Sequence, residues 1–416
     1  MPARVAGDQG VPASGIGPPG PDLGRPDANG YSRGISSIPI ILTLISGDPS
    51  RPLPSRIEEP PAIHPDYEHV VIAAASDFEA CGVADLDRDG DLDVVCGDAW
   101  YEAPTWTRRP IGLVRSVGGY RVDFADVPMD VDGDGWTDVV SCSWHDRGVF
   151  WRRNPGVTGG EWKMRVVDRP GNMETAIGAD VDGDGRLDFL PNTVESMVWY
   201  SLEDEGLVRH LISPDRGGHG VGTGDVDGDG DDDVLGPEGW FEAPDDARDG
   251  EWRFHDEWSL GGAGISIIVH DFDGDGLADV FWGMGHDYGL FWLKQGRDDA
   301  GNRTWKRRLV DDSWSQAHGL VLVDLDRDGT PEVVTGKRRH AHNGKDPGGE
   351  DELLVCTYRF DPKESVFRKT TLARGGDVGA GHYPVVVDLD GDGDLDVVLP
   401  GKSGLHLLRR RGRPTP

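Results

Sequence analysis

Short apolar runs alternate with acidic loops along this chain, regularly enough to predict its elements. Val385-Val386-Val387 precedes one loop and Asp396-Val397-Val398-Leu399 follows it. Runs this short and this rich in β-branched residues read as strands, and two of them around a tight loop read as a hairpin. An aromatic third strand comes next, as at Trp100-Tyr101, Phe150-Trp151, Trp199-Tyr200, Trp240-Phe241 and Phe291-Trp292. An outer strand then follows, such as 162–167 or 305–310. Recurring once per unit, the aromatic pairs are expected to pack each unit on the next.

The loops share one nine-residue pattern, Asp-x-Asp-x-Asp-Gly-x-x-Asp/Glu, present seven times. Their side chains are Asp85, Asp87, Asp89 and Asp93; Asp130, Asp132, Asp134 and Asp138; Asp180, Asp182, Asp184 and Asp188; and Asp225, Asp227, Asp229 and Asp233. The last three loops carry Asp271, Asp273, Asp275 and Asp279; Asp324, Asp326, Asp328 and Glu332; and Asp388, Asp390, Asp392 and Asp396. Alternating carboxylates on a tight loop converge several oxygens on one point, as Ca²⁺ requires. A glycine at the sixth position, from Gly90 to Gly393, permits the left-handed backbone that wraps the ion. Up to seven structural Ca²⁺ are therefore expected.

Charge sharpens this reading. The formal net charge is −33, and 32 of the 75 acidic residues lie in the seven loops. Seven divalent ions would add 14 positive charges and leave −19, so nucleic acid and anionic membrane are excluded as partners. No stretch is long enough to span a membrane. Calcium loops of this kind fill most readily outside the cytosol, so a secreted or periplasmic location is expected. The Pro- and Gly-rich residues 1–62 read as a disordered leader, in which Ser37 to Ser46 is either an export segment or an apolar patch. Residues 412–416 read as a tail. Cys81 and Cys96 flank the first loop, where a disulfide and two buried thiols are both open readings.

Loop starts are 45, 50, 45, 46, 53 and 64 residues apart, a period that suits one four-stranded propeller blade. Only two strands follow the last loop, and the segment 68–73 is available to supply its outer strand. The expected fold is all-β: a seven-bladed propeller over 63–411, with a calcium hairpin in each blade and the ring closed by the N-terminal strand. These loops resemble the FG-GAP, or VCBS, repeat family of calcium-binding propellers, whose members include adhesion modules, lectin-like binders and enzymes.

Six residues before each loop stand Glu79, Phe124, Glu174, His219, Ile265, His318 and His382. They share a strand face, so five His or Glu side chains should ring one mouth of the channel, opposite the turns. The loops after the second strands add Asp98, His145, Glu195, Glu238, His286, Lys337, Arg338, His340 and His342 to the same rim. Converging imidazoles and carboxylates are the makings of a Zn²⁺ or similar transition-metal site. Each could equally be solvated in a wet channel. The polar, glycine-rich segment 336–349 should form an exposed loop over that mouth.

The Ala341-His342-Asn343-Gly344-x-Asp346-Pro347-Gly348 core of that loop, taken with the His/Glu ring, resembles the propeller domain of the aldos-2-ulose dehydratase group. The resemblance implies a metal-dependent carbon–oxygen lyase that removes water from a keto-sugar. It covers the propeller alone; no cupin domains accompany it, and the isomerising step of that group is not expected. On this reading His219, His318 and His382 hold the metal, Glu79 or Glu174 takes the α-proton, and His340 or His342 protonates the departing hydroxyl. The alternative is a non-catalytic module that binds glycan, another small molecule or a protein with the same rim. A scaffold with an inert channel is the third reading.

Overall fold

The computed structural model describes residues 60–204 and 206–412. Residues 1–59 of the leader, with its apolar segment, and the last four residues lie outside this span. Among the described residues there is no α-helix; seven antiparallel sheets form the blades of one propeller. The first six blades are built in chain order. In the third, Met173–Ala179 pairs with Asp188–Thr193, then come Met197–Glu203 and Gly206–Ser213. The acidic loops connect first and second strands, as the apolar pattern predicts.

The seventh blade combines both ends of the described chain. Its strands Val385–Val387, Asp396–Leu399 and Leu405–Arg410 are followed by Tyr67–Ala73, which pairs antiparallel with the last of them. A two-residue strand, Ala62–Ile63, adds to the edge of blade six, beginning within the span assigned to the leader.

Buried side chains fall into seven clusters, one at each junction between adjacent blades. Trp240 packs with Val280 and Trp282 of the next blade, and Trp199 with Val221, Val234 and Phe241. The third-strand aromatics therefore do the inter-blade packing expected of them, and Trp199, Trp240 and Trp292 are fully buried. One cluster joins Val94 and Cys96 of blade one to Val398 and Leu407 of blade seven. The four cysteines are buried and free, so Cys81 and Cys96 are two thiols and not a disulfide.

Two insertions rise on the mouth side. A small hairpin, Ser116–Val117 with Tyr120–Arg121, stands between blades one and two. The segment after Glu332–Lys337 carries a short 3-10 turn, Ala341–Gly344, before Leu354–Asp361 begins. Asn343 Nδ2 donates to the Gly118 carbonyl at 3.3 Å, so the two insertions touch.

Candidate functional site

On the turn rim the seven loops repeat one set of hydrogen bonds. Each sixth-position glycine has φ between 83° and 101°. Its N–H donates to the first Asp of the loop at 2.8–3.2 Å. The ninth-position carboxylate is buried, and in six loops it accepts the backbone N–H of the second residue, as Asp93 does from Leu86 at 3.1 Å; in loop five Asp279 Oδ2 has no such donor. Burial raises the pKa of these ninth carboxylates, to about 7 at Asp93 and Asp233 and about 6 at Asp138, Asp188, Asp279 and Asp396. One oxygen each of Asp85, Asp130, Asp180 and Asp388 is buried with no donor facing it. The oxygens of Asp85, Asp87 and Asp93 lie within 4.8 Å of one another, as do those of Asp130, Asp132 and Asp138. Such a donor set, acidic and short of hydrogen-bond partners, fits a hard cation.

The loops differ in what stands beside them. Arg153 reaches Asp132 and Asp134, Lys294 reaches Asp273 and Asp275, and Arg359 reaches Asp326 and Asp328. Arg248, from blade four, reaches Asp182 and Asp184 of loop three. The residues after Arg153 and Lys294 donate their N–H to the ninth carboxylate; at the matching place in blades one and four, Ala103 and Ala243 donate, preceded by Glu102 and Glu242. At that place loops one and four have a glutamate where loops two and five have a cation, although Arg303 also comes within 3.9 Å of Asp227 in loop four.

The opposite mouth is centred on Arg338, which the sequence places at the end of a second strand and the fold buries to 1% exposure. Its Nε and Nη2 donate to the two oxygens of Glu79, at 2.7 and 3.2 Å. Its Nη1 lies 2.8 Å from Glu174 Oε1 and 2.9 Å from His318 Nε2. Burial alone would raise the pKa of Glu79, yet the charges of Arg338, His382 and Lys402 outweigh it and bring it to about 2. The same competition between burial and Arg338 holds Glu174 well below the ordinary carboxylate range. Both carboxylates are therefore ionised and weak bases at neutral pH, which counts against the role expected of Glu79 and Glu174.

Glu174 instead belongs to a four-residue group with His219, His286 and His318, whose ligand atoms lie within 4.8 Å of one another. His219 Nδ1 meets the Ala263 carbonyl and His318 Nδ1 the Gly285 carbonyl, each at 2.9 Å. His286 Nδ1 meets Asp346 Oδ2 at 2.8 Å. Carbonyl and carboxylate oxygens only accept, so each Nδ1 carries a proton and each Nε2 is turned inward. Outer hydrogen bonds of this kind are what orient metal-binding imidazoles. His219 Nε2 and Glu174 Oε2 come to 2.6 Å, two lone-pair atoms whose approach requires a positive charge, either a proton or a metal ion. Burial pushes the His286 pKa down to about 4, so it is a neutral, lone-pair-bearing imidazole at pH 7. The set fits a zinc-class cation. Arg338 donates to His318 Nε2 in the same place, and a bound ion must displace that contact.

His382 stands beside the group and not in it. It is 1% exposed and stacked on Phe124, with ring centroids 5.3 Å apart. Its Nε2 lies 3.5 Å from Glu174 Oε1, and neither ring nitrogen makes a hydrogen bond. Of the expected ligands His219, His318 and His382, the structure brings the first two together with His286 and Glu174 and leaves His382 outside that group. His286 belonged to the predicted rim, but nothing in its spacing set it apart, because it comes from a second strand's end and not from the inner ring. Arg338 was hidden in a polar run whose Lys337 and Arg338 are buried, where an exposed loop was expected. Its signal was two ring carboxylates without a counter-ion. The exposed part of that loop carries His340 and His342, with His342 Nδ1 on Asp346 Oδ1 at 2.9 Å.

A seven-bladed ring with acidic hairpin loops defines the class of this protein. Residues 130–190 and 271–335 match the FG-GAP-like repeat, and together with the seven blades they identify an FG-GAP-repeat propeller. No curated protein matches the chain. Among solved structures, the complex of BBS1N with ARL6DN is similar at 12% identity, with 84% of this chain and 98% of that one covered and a TM-score of 0.50. An Agrocybe aegerita lectin that recognises non-reducing terminal N-acetylglucosamine is 19% identical over 74% of this chain and 80% of its own, TM-score 0.43. The rhamnogalacturonan lyase YesW is 16% identical over 85% and 74%, TM-score 0.45.

Proposed function

We propose that this propeller is a carbohydrate-directed, metal-assisted dehydratase working at the channel mouth, with calcium filling the acidic turns and the protein acting outside the cytosol. The observation that carries the reading is the convergence of three Nε2 atoms on Glu174, each imidazole held by an outer acceptor on its Nδ1. A zinc-class ion held by Glu174, His219, His286 and His318 would polarise the carbonyl of a keto-sugar. Arg338 neutralises Glu79 and Glu174, keeping the buried carboxylates ionised. His342 is 60% exposed at its side chain, has its Nδ1 fixed by Asp346, and presents Nε2 to solvent. It can take the α-proton and return a proton to the departing hydroxyl when both lie on one face of the sugar.

One contact favours the second reading, a non-catalytic glycan- or protein-binding module: Arg338 already supplies a positive charge at His318 Nε2. Elemental analysis of the purified chain, wild type beside His286→Ala, separates the two. A single zinc, manganese or iron per chain, lost in the variant while calcium and cooperative unfolding are retained, supports the dehydratase reading. Keto-sugars are then screened for the new absorbance of a dehydrated product. Calcium alone in both proteins, with retention of a sugar on a glycan array, supports the binding module.

A further inference from the structure

The segment over the mouth is held in a conformation that its residues do not favour on their own. His340, His342 and Asn343 have φ of 51°, 47° and 58°, left-handed values that non-glycine residues, the two histidines above all, adopt only under constraint. Ala341 between them is fully buried, and Lys402 Nζ donates to the His340 carbonyl at 3.3 Å. The outcome of this bend is specific. The His342 ring is laid on His286, with centroids 4.2 Å apart and planes 17° from parallel.

Asp346 bridges the Nδ1 edges of the two rings. Its Oδ2 is 2.8 Å from His286 Nδ1 and its Oδ1 is 2.9 Å from His342 Nδ1. The carboxylate is 13% exposed at its side chain. An ionised carboxylate accepts and cannot donate, so both imidazoles must carry their proton on Nδ1. Both Nε2 atoms are then turned away from Asp346: that of His286 lies 3.4 Å from His219 Nε2 in the group with Glu174, and that of His342 belongs to a side chain 60% exposed. One side chain thereby sets the tautomer of a buried ring in the candidate metal group and of an exposed ring on the loop.

We propose that Asp346 is a positioning residue that couples the two halves of the site, fixing His286 as a ligand and His342 as an acid–base group by a single pair of hydrogen bonds. This rests on the metal-centre reading above for what His286 binds, but not for the tautomers themselves. Asparagine at 346 tests it with little change of shape. Its amide offers one acceptor oxygen and one donor nitrogen, so it can hold only one of the rings in the Nδ1–H form. The other must turn or move its proton to Nε2, losing the lone pair that the site uses.

The experiment is ring ¹⁵N chemical shifts of histidine-labelled full-length protein at neutral pH, calcium present and zinc absent, for wild type and Asp346→Asn. Zinc titration calorimetry is run on the same samples. In wild type, His286 and His342 are expected as Nδ1–H tautomers. In Asp346→Asn one of them should switch to Nε2–H, with His219 and His318 unchanged, and zinc affinity should fall by about 10–100-fold if the switched ring is His286. Both rings keeping Nδ1–H in the variant, with zinc affinity unaltered, overturns the proposal. Should the variant not fold, an Nε2–H form of either ring in wild type overturns it equally. A wild type that binds no zinc but shows both Nδ1–H tautomers, one lost in the variant, removes the metal centre and supports the positioning pair.

Discussion

The two rims of the propeller follow opposite rules. On the turn rim seven loops repeat the same glycine conformation and the same internal hydrogen bonds. On the mouth rim the seven equivalent positions are Glu79, Phe124, Glu174, His219, Ile265, His318 and His382, with little repetition. A repeated rim serves architecture, because every blade needs the same hairpin and the same buried ninth carboxylate. A ring of identical groups would have no focus, and chemistry needs one. Here it gathers on blades three to six, which supply Glu174, His219, His286, His318, Arg338 and Asp346.

Calcium removal should break the comparison most visibly. A site filled at 100 times its Kd contributes about 2.7 kcal/mol, and several such sites exceed the 5–15 kcal/mol of a typical fold. Chelation is expected to unfold the propeller cooperatively, followed by circular dichroism, with calcium restoring it. An unchanged Tm in excess chelator would show that the loops are solvated turns.

The mouth should respond next. Arg338→Met removes the counter-charge that Glu79 and Glu174 share, leaving Glu79 only Lys402 at 3.4 Å, and is expected to cost about 3–5 kcal/mol in denaturant unfolding. Pairing it with Glu79→Gln should recover part of that loss. A variant as stable as wild type would mean that water already solvates this charge cluster.

Acid should weaken the same pair. The folded pKa of Glu79 is depressed to about 2, so its stabilisation is complete above the ordinary carboxylate value of about 4.5. It is lost as pH falls from there through 2. Stability of the calcium-saturated protein should decline across that window, and Arg338→Met should flatten the slope. An equal slope in both proteins would assign acid sensitivity to other carboxylates.

The smallest effect lies within the turn rim itself. Arg153 beside loop two and Glu102 beside loop one differ in charge at matching places. Arg153→Ala should raise calcium affinity at loop two, and Glu102→Gln should lower it at loop one, each modestly because both side chains are partly exposed and screened by solvent. Terbium luminescence or calorimetry would register the shifts. Affinities that move together, or not at all, would mean that the neighbouring charge does not tune the loops.

Much of this was written locally. Asp-x-Asp-x-Asp-Gly needs no partner from elsewhere to form its turn, since Asp85 bonds Gly90 within one loop. The β-branched flanks and the aromatic third strands announce a hairpin and a packing face by their own spacing. The inner-strand count also found Glu174, His219 and His318, because one residue per blade at a fixed offset must meet its equivalents at the axis. Their roles did not follow. Glu79 and Glu174 carry carboxylates suited to a base, but a buried guanidinium from residue 338 makes them weak acceptors.

The sequence by itself determined the blade, its turn chemistry and the number of repeats, since each depends on contacts within roughly one hairpin. Only the tertiary structure decided which residues form the centre. His286, Arg338 and Asp346 come from strand ends and a loop, where no periodicity marks a residue. His286 and Arg338 meet Glu174, and Asp346 meets His286, because ring geometry brings blades three to six to one mouth. Tautomers and pKa values belong to the same level, for they are set by acceptors and charges that lie far apart in the chain and within 3 Å in the fold.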